Sequence, residues 1–324
     1  MLSIVVIGRN EAEHLEGLGK SIAALRESCD FPVESIFIDS ASTDNSVPIA
    51  EQYFDCVELL NESKHLCASA GRYAGTCEAK YPWIFYIDGD MEICSEFFPV
   101  VHRLDDIEPE CVGVVGLYIH RFDNGRSAFQ PFKRLIGTGM QAMHFGGAVL
   151  LRREAVLGAG NWDPALYGKE EIELYARLGN GRQVVKFVHV PMIYHYSEYY
   201  TRWELAKRML MPSGGLGKVF WGYGQCVRAA VVKGKFRALA RLEFELYAFW
   251  FSLCMILMVG FVFSFVWSAI LAVMVVTGLS LWSRPGSVVR YLLQPLSLIP
   301  GWWKYFPWFR PMLRKWNPEG GQAA

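Results

Sequence analysis

The stretch FYIDGDME, Phe85 to Glu92, closes an apolar run that starts at Trp83 and Ile84. Aromatic and β-branched residues without interruption from Trp83 to Ile87 read as a strand buried on both faces. That strand runs into two carboxylates one residue apart, a costly placement unless something neutralises them. Either Asp88 and Asp90 share a hard divalent cation, Mg2+ or Mn2+, which would also hold a diphosphate, or the strand ends in an acidic turn with Gly89 at positive φ. A D-x-D arises about once by chance in a chain of this length, so its neighbours must decide.

Upstream, Leu2 to Ile7 is a short apolar run ending at Gly8, followed by a helix opening at Asn10-Glu11-Ala12-Glu13. Ile36 to Ile38 is a second strand, stopped by Asp39-Ser40-Ala41-Ser42-Thr43-Asp44, with a helix running to Tyr53. Val57 to Leu60 reads as a third strand and Ser69 to Ala79 as a helix of small residues. Strand alternating with helix predicts an α/β domain with a mostly parallel sheet, whose ligands bind beyond the carboxyl ends of the strands. Here those ends carry Gly8-Arg9-Asn10, Asp39 to Asp44, and Asp88 to Asp90. The domain continues to residue 200, with strands over Val112–Ile119, His144–Leu151 and Val184–Ile193, and an acidic helix within Asp163–Arg177.

Other polar groups admit two readings each. Asp39 and Asp44 could accept from a base or ribose hydroxyl, or Ser42 or Thr43 could cap the next helix. Arg72, set among small residues, is a fork for phosphate or a solvated residue on a tightly packed helix. Glu170, Glu173 and Arg177 share one helical face with a Glu173–Arg177 pair at i,i+4, while Glu171 points away and is left to work; a solvated helix start would favour the same acids. His195, just past Val190–Tyr194, is a structural histidine or a third metal or phosphate contact.

Lys plus Arg total 32 and Asp plus Glu total 32, so net charge gives no sign of nucleic-acid binding. The first 20 residues show no signal-peptide pattern. Eight cysteines without a C-x-x-C read as reduced thiols rather than a disulfide frame or zinc site. Leu246 to Ser283 holds no charged residue over 38 positions, roughly 57 Å as one helix, which fits two passes of a bilayer better than one. Basic residues flank the run: Arg228, Lys233, Lys235, Arg237 and Arg241 before it, and Arg284, Arg290, Lys304, Arg310, Arg314 and Lys315 after it. Both ends are therefore expected on the cytoplasmic face. The expected organisation is a catalytic domain at 1–200, amphipathic basic interface helices at 201–245 around Trp203 and Trp221, a transmembrane helical hairpin at 246–283, and an aromatic, basic interfacial segment at 284–324 with Trp302, Trp303, Trp308 and Trp316.

In this order, the pieces resemble the family 2 inverting glycosyltransferases of the GT-A nucleotide-sugar-binding fold. Ile4 to Glu11 looks like that family's first strand and N-E pair, Ile38 to Asp44 like its V-D-x-G-S-T-D, Ser69 to Gly75 like its S-A-x-R-N-x-G, and Ile87 to Asp90 like its D-x-D. Gly146-Gly147, Trp162-Asp163 and Lys169 to Glu173 with Arg177 look like its acceptor half. Ser40, Ala41, Tyr73 and Glu171 depart from the usual Asp, Gly, Asn and Asp.

The resemblance implies a nucleoside diphosphate sugar donor, a UDP-sugar first. It would be held by Gly8, Asn10, Glu11, Asp39, Ser42, Asp44, Arg72 and Asp88. The metal would sit on Asp90 with Asp88 and His195, and Glu171 or Glu170 would be the catalytic base. The membrane features add a lipid-linked or polyprenyl phosphate acceptor. Tyr199 stands where the Q-x-x-R-W of processive synthases has Gln, ahead of Arg202-Trp203, which favours single-sugar transfer. A polyprenyl-phosphate glycosyltransferase, a nucleotidyltransferase-like enzyme and a non-catalytic scaffold are the alternatives.

Overall fold

The computed structural model describes residues 1–61, 65–129, 135–136, 141–142, 145–178, 185–199, 204, 215–243, 247–248, 251–252, 254–255, 298–307 and 309–315. Most of 246–283, where the hairpin is expected, lies outside these residues, as do Trp203, Trp308 and Trp316. Among the described residues no helix is long and apolar enough to cross a membrane.

The first half alternates strand and helix: β1 (Leu2–Gly8), α1 (Leu15–Ser28), β2 (Val33–Asp39), α2 (Ser46–Tyr53), β3 (Cys56–Leu60), α3 (Ala68–Glu78) and β4 (Trp83–Asp88). These strands form a parallel block ordered β3-β2-β1-β4, with Gly8 opposite Asp39 and Ile7 opposite Asp88. Their carboxyl ends therefore lie side by side. Helix α3 sits close on the sheet because Gly71 and Gly75 face it; a Cβ on Gly75 would collide with Val5, and one on Gly71 would press on Ile7.

The sheet as a whole is mixed, not mostly parallel. Beyond β4 the chain forms β5 (Met91–Ile93), α4 (Phe98–His102), β6 (Gly113–Phe122), β7 (Ser127–Phe129), β8 (Leu135–Ile136), β9 (Gln141–Ala142), β10 (Val149–Arg152), α5 (Arg153–Gly158), α6 (Glu170–Arg177) and β11 (Val185–Ser197). Strand β10 runs antiparallel to both β4 and β6. Between β4 and β10 the chain passes through β5, α4 and β6 to β9, and β10 then enters the sheet between β4 and β6 from the opposite end. Strands β6 and β11 then pair in parallel.

Helices α7 (Gly215–Val232), α8 (Phe236–Leu242) and α9 (Leu298–Trp303) follow, and β12 (Leu313–Lys315) returns to pair antiparallel with β3. Tyr223, Cys226, Val227, Ala230, Ala238, Leu239 and Leu242 join the main hydrophobic core, so the described part of 201–245 packs on the domain. All eight cysteines are free.

Candidate active site

The carboxyl end of β4 delivers Asp88 beside the start of α6. Arg72, 3% exposed, reaches between them: Nη2 donates to Asp88 Oδ1 at 2.7 Å and Nη1 to Glu170 Oε1 at 2.7 Å. The guanidinium also lies over the buried Trp162 ring, 5.3 Å from its centroid. The sequence suggested a phosphate fork or a solvated residue. Both terminal nitrogens are instead committed to carboxylates, making Arg72 a strut between α3, β4 and α6. Burial presses its pKa down, but Asp88 and Glu170 more than offset this and it stays charged.

Three acids stand in the first turn of α6. Arg72 takes Glu170. Arg177 takes Glu173 with Nε at 2.8 Å and Nη2 at 2.6 Å, as the i,i+4 spacing predicted. Glu171 accepts only a backbone contact among these, from Gly147 N–H at 3.0 Å. Burial first, then the charge of Glu170, pushes its pKa up to about 7. A carboxylate with that pKa is half-ionised near neutral pH and basic enough to accept a proton.

Gly147 belongs to a turn rather than the expected Gly-led strand: β10 begins only at Val149, and Gly146 and Gly147 have φ of 56° and 97°. A Cβ on Gly147 would collide with Asp88 Oδ2, so the turn's tight approach is what brings the Glu171 and Asp88 carboxyls to one place. Tyr118, buried in β6, braces the turn: its hydroxyl accepts from Ala148 N–H at 2.7 Å and also contacts the carbonyls of Phe145 and Ala148.

Asp90 faces His195, which lies within β11 rather than after it. His195 Nε2 is 3.1 Å from Asp90 Oδ2, and its Nδ1 is 2.9 Å from Nδ1 of His120 on β6. Asp90 Oδ1 is buried and has no hydrogen-bond partner. Burial lowers the His195 pKa, yet the hydrogen bond and charge of Asp90 leave it raised. Glu11 packs over Gly89; burial, then Asp90 and Asp88, push its pKa up to about 8. Burial lifts Asp88 to about 6, against the pull of Arg72. Burial first, and repulsion between neighbouring acids after it, raise these groups together at one edge.

The second loop cluster is knit to the first. Asn10, at φ 60°, donates its N–H to Ser42 Oγ at 2.8 Å and accepts from Thr43 N–H with Oδ1 at 2.8 Å. Asp39, 1% exposed, accepts from Ser42 N–H at 2.8 Å, and its Oδ1 is buried without a partner. Burial raises its pKa. Asp44 is exposed and turned back on the chain, accepting from Ser46 N–H at 3.0 Å and Ala12 N–H at 3.2 Å. Neither Ser42 nor Thr43 caps α2, which begins after Asn45. Among the predicted donor contacts, Asp39 keeps an unused acceptor at the sheet edge, whereas Ser42 and Asp44 hold the loops in shape.

Sequence reasoning missed the groups that hold α6 from behind. Lys233, in the turn after α7, donates to Asp163 Oδ2 at 2.6 Å and Glu173 Oε1 at 2.9 Å; Tyr305 O–H donates to the same Asp163 oxygen at 2.7 Å. Lys169, with φ 64° at the start of α6, pairs with buried Glu243 at 2.9 Å. Arg228 donates to Trp302 O at 2.5 Å, and Lys304 Nζ lies 3.0 Å from the Trp221 ring centroid. Several of the basic and aromatic residues expected at a membrane surface thus contact one another, while Trp303 stays 73% exposed. Spacing alone gave no signal for these pairs, whose partners lie 60 or more residues apart.

Comparison with known proteins gives this geometry its context. The sequence profile described as Glycosyl transferase family 2 matches residues 3–155. A cholesterol galactosyltransferase of Borreliella burgdorferi is 26% identical over 148 residues, 44% of this chain and 40% of that protein; the match thus spans well under half of the relative. In fold, the chain resembles the mannosyltransferase PcManGT of Pyrobaculum calidifontis, solved with GDP-Man and Mn2+, at TM-score 0.58 and 14% identity, covering 93% of this chain and 87% of that one. It also resembles residues 1–349 of S. aureus TarS in complex with UDP-GlcNAc, at TM-score 0.55 and 15% identity, covering 99% and 98%. Over residues 3–155 the α/β domain with its acids at the sheet edge thus matches glycosyl transferase family 2, and its fold is similar to that of solved glycosyltransferases.

Proposed function

We propose that the chain transfers a single sugar, with inversion, from a nucleoside diphosphate sugar to a hydroxyl or phosphate of a lipid-linked or polyprenyl phosphate acceptor at a membrane. The observation that carries this reading is the division among the α6 acids: Glu170 and Glu173 are neutralised by arginines, and Glu171 is left with a raised pKa beside Asp88. Glu171 in its ionised form removes the acceptor proton as the acceptor attacks the anomeric carbon from the face opposite the leaving diphosphate. Asp39, with its spare buried oxygen, accepts from the nucleoside.

The residues fit a divalent cation: Asp90 offers an unpartnered carboxylate oxygen, and His195 Nε2 stands beside its other oxygen. Among the described residues no three His, Cys, Asp or Glu side chains converge on one point, so the diphosphate would complete the coordination of Mg2+ or Mn2+ held by Asp90 and His195. When bound, the ion supplies electrostatic stabilisation of the leaving diphosphate. Arg72, already paired, keeps Asp88 and Glu170 in place rather than binding phosphate. The ligands of the structural neighbours, UDP-GlcNAc and GDP-Man, point to a nucleotide sugar donor, for which UDP-sugars are the first candidates.

The acceptor reading is supported by the uncharged run at 246–283 with basic flanks, and by the relative named for cholesterol galactosylation. Those flanks favour an inner-membrane location with the catalytic domain facing the cytoplasm. A thermal-shift panel of nucleotides and nucleotide sugars with and without Mn2+ tests the donor, because a ligand that binds only the folded state raises its midpoint. No stabilisation by any nucleoside diphosphate or its sugars would refute the reading. Release from membranes by high salt alone would remove the hairpin.

A further inference from the structure

We propose that His120 is a positioning residue that supplies the acceptor for His195 Nδ1–H, the tautomer in which the Asp90–His195 edge can accept a divalent cation. This rests on the cation reading above. Strands β6 and β11 run in parallel with His120 directly opposite His195. The two Nδ1 atoms are 2.9 Å apart, with ring centroids 4.8 Å apart and planes at 59°. Ring nitrogens at that distance share a single proton: one donates and the other accepts.

The remaining nitrogen of His195, Nε2, points at Asp90 Oδ2. To offer its lone pair to a cation, Nε2 must be bare, so the proton of a neutral ring must sit on Nδ1. Nδ1–H of His195 then donates to His120 Nδ1, and His120 carries its own proton on Nε2. The opposite arrangement puts a proton on His195 Nε2, which donates to Asp90 and closes both groups to a cation. Asp90 favours this closed arrangement when no ion is present; with its own proton on Nε2, His120 presents the acceptor that the open arrangement needs. Phe122, stacked on His120 at 5.9 Å and 13°, holds that acceptor in line.

The test is Mn2+ binding to the full chain, read as loss of the free-ion EPR signal, for wild type, His120→Phe, His120→Asn and His195→Ala. The Asn amide oxygen occupies the acceptor place of Nδ1; Phe keeps the ring stack and removes the acceptor. Loss of such an outer partner weakens metal affinity about 10- to 100-fold. The expected result is that weakening in His120→Phe, recovery to within about threefold of wild type in His120→Asn, and unchanged thermal midpoints; His120→Leu replaces the Phe variant if it fails to fold. Wild-type affinity in His120→Phe, or equal weakening in Phe and Asn variants, overturns the positioning role while leaving the cation site standing. Wild-type affinity in His195→Ala overturns the cation reading itself, and the proposal with it.

Discussion

Arg72 and Glu170 are joined at 2.7 Å across 98 residues of sequence, and this one pairing separates two adjacent acids into different jobs. The neutralised neighbour anchors α6 to the sheet. Glu171 keeps a carboxyl whose proton is exchangeable near neutral pH.

Transfer activity should therefore depend on Glu171 and follow its ionisation. Glu171→Gln should cost about 10²- to 10⁴-fold in kcat with donor binding retained. The wild-type rate should fall tenfold per pH unit below about 7 and level off above it, since the ionised form is the base. Glu170→Gln removes a repelling charge and frees Arg72, so both changes move that midpoint to lower pH. A flat pH–rate profile between 5.5 and 8.5 would contradict the assignment.

Replacing Arg72 by Ala leaves Asp88 and Glu170 without their shared cation. Breaking a buried ion pair from one side costs about 3 kcal/mol or more, and chemical denaturation at pH 7.5 should show it. The loss should shrink at pH 5, where Asp88, with a pKa already near 6, is protonated and needs no partner. Equal destabilisation at both pH values would mean that packing on Trp162, not charge, is what Arg72 supplies.

Glu11 offers a stability test of opposite sign to that of an ordinary salt-bridged acid. Its folded pKa of about 8 lies above the value of 4.5 for an unperturbed glutamate. Between those values the folded state holds more protons than the unfolded state, so stability falls as pH rises, levelling above 8. Glu11→Gln should raise the thermal midpoint at pH 8.5 and leave it unchanged at pH 4. A gain independent of pH would remove the carboxyl as its cause.

Ala41 holds φ 59° in the loop after β2, where a left-handed backbone costs an L-residue about 1–2 kcal/mol. Glycine loses more entropy on folding and gives part of this back, so Ala41→Gly should stabilise by about 0.5–1 kcal/mol. A destabilised variant in urea denaturation would show that the methyl group packs more tightly than the backbone suggests.

The parallel half of the fold was legible because each strand announces itself locally: an apolar run stopped by Gly8, Asp39 or Asp88, with a helix between. The mixed half was not, because the reversal at β10 depends on which strand lies beside it, a non-local fact. The run His144 to Leu151 has the composition of a strand, yet Gly146 and Gly147 hold positive φ and β10 begins only at Val149. For the site, the acids could be read and their state could not. Nothing near Arg72 in sequence says that Glu170 will claim it, and nothing near His195 points to His120. The same limit hid Lys233, whose charge was assigned to a lipid surface because its two carboxylate partners are remote in sequence.

Strand β12 has a consequence for the uncharged run. Residues 215–243 are packed on the catalytic domain before that run, and β12 is hydrogen-bonded to β3 after it, with Arg314 donating to Asn61 at 2.6 Å. The points before and after the run thus belong to one folded body. Any bilayer it enters must be crossed an even number of times, whatever the charges at its ends; a single crossing would require stripping β12 from the sheet.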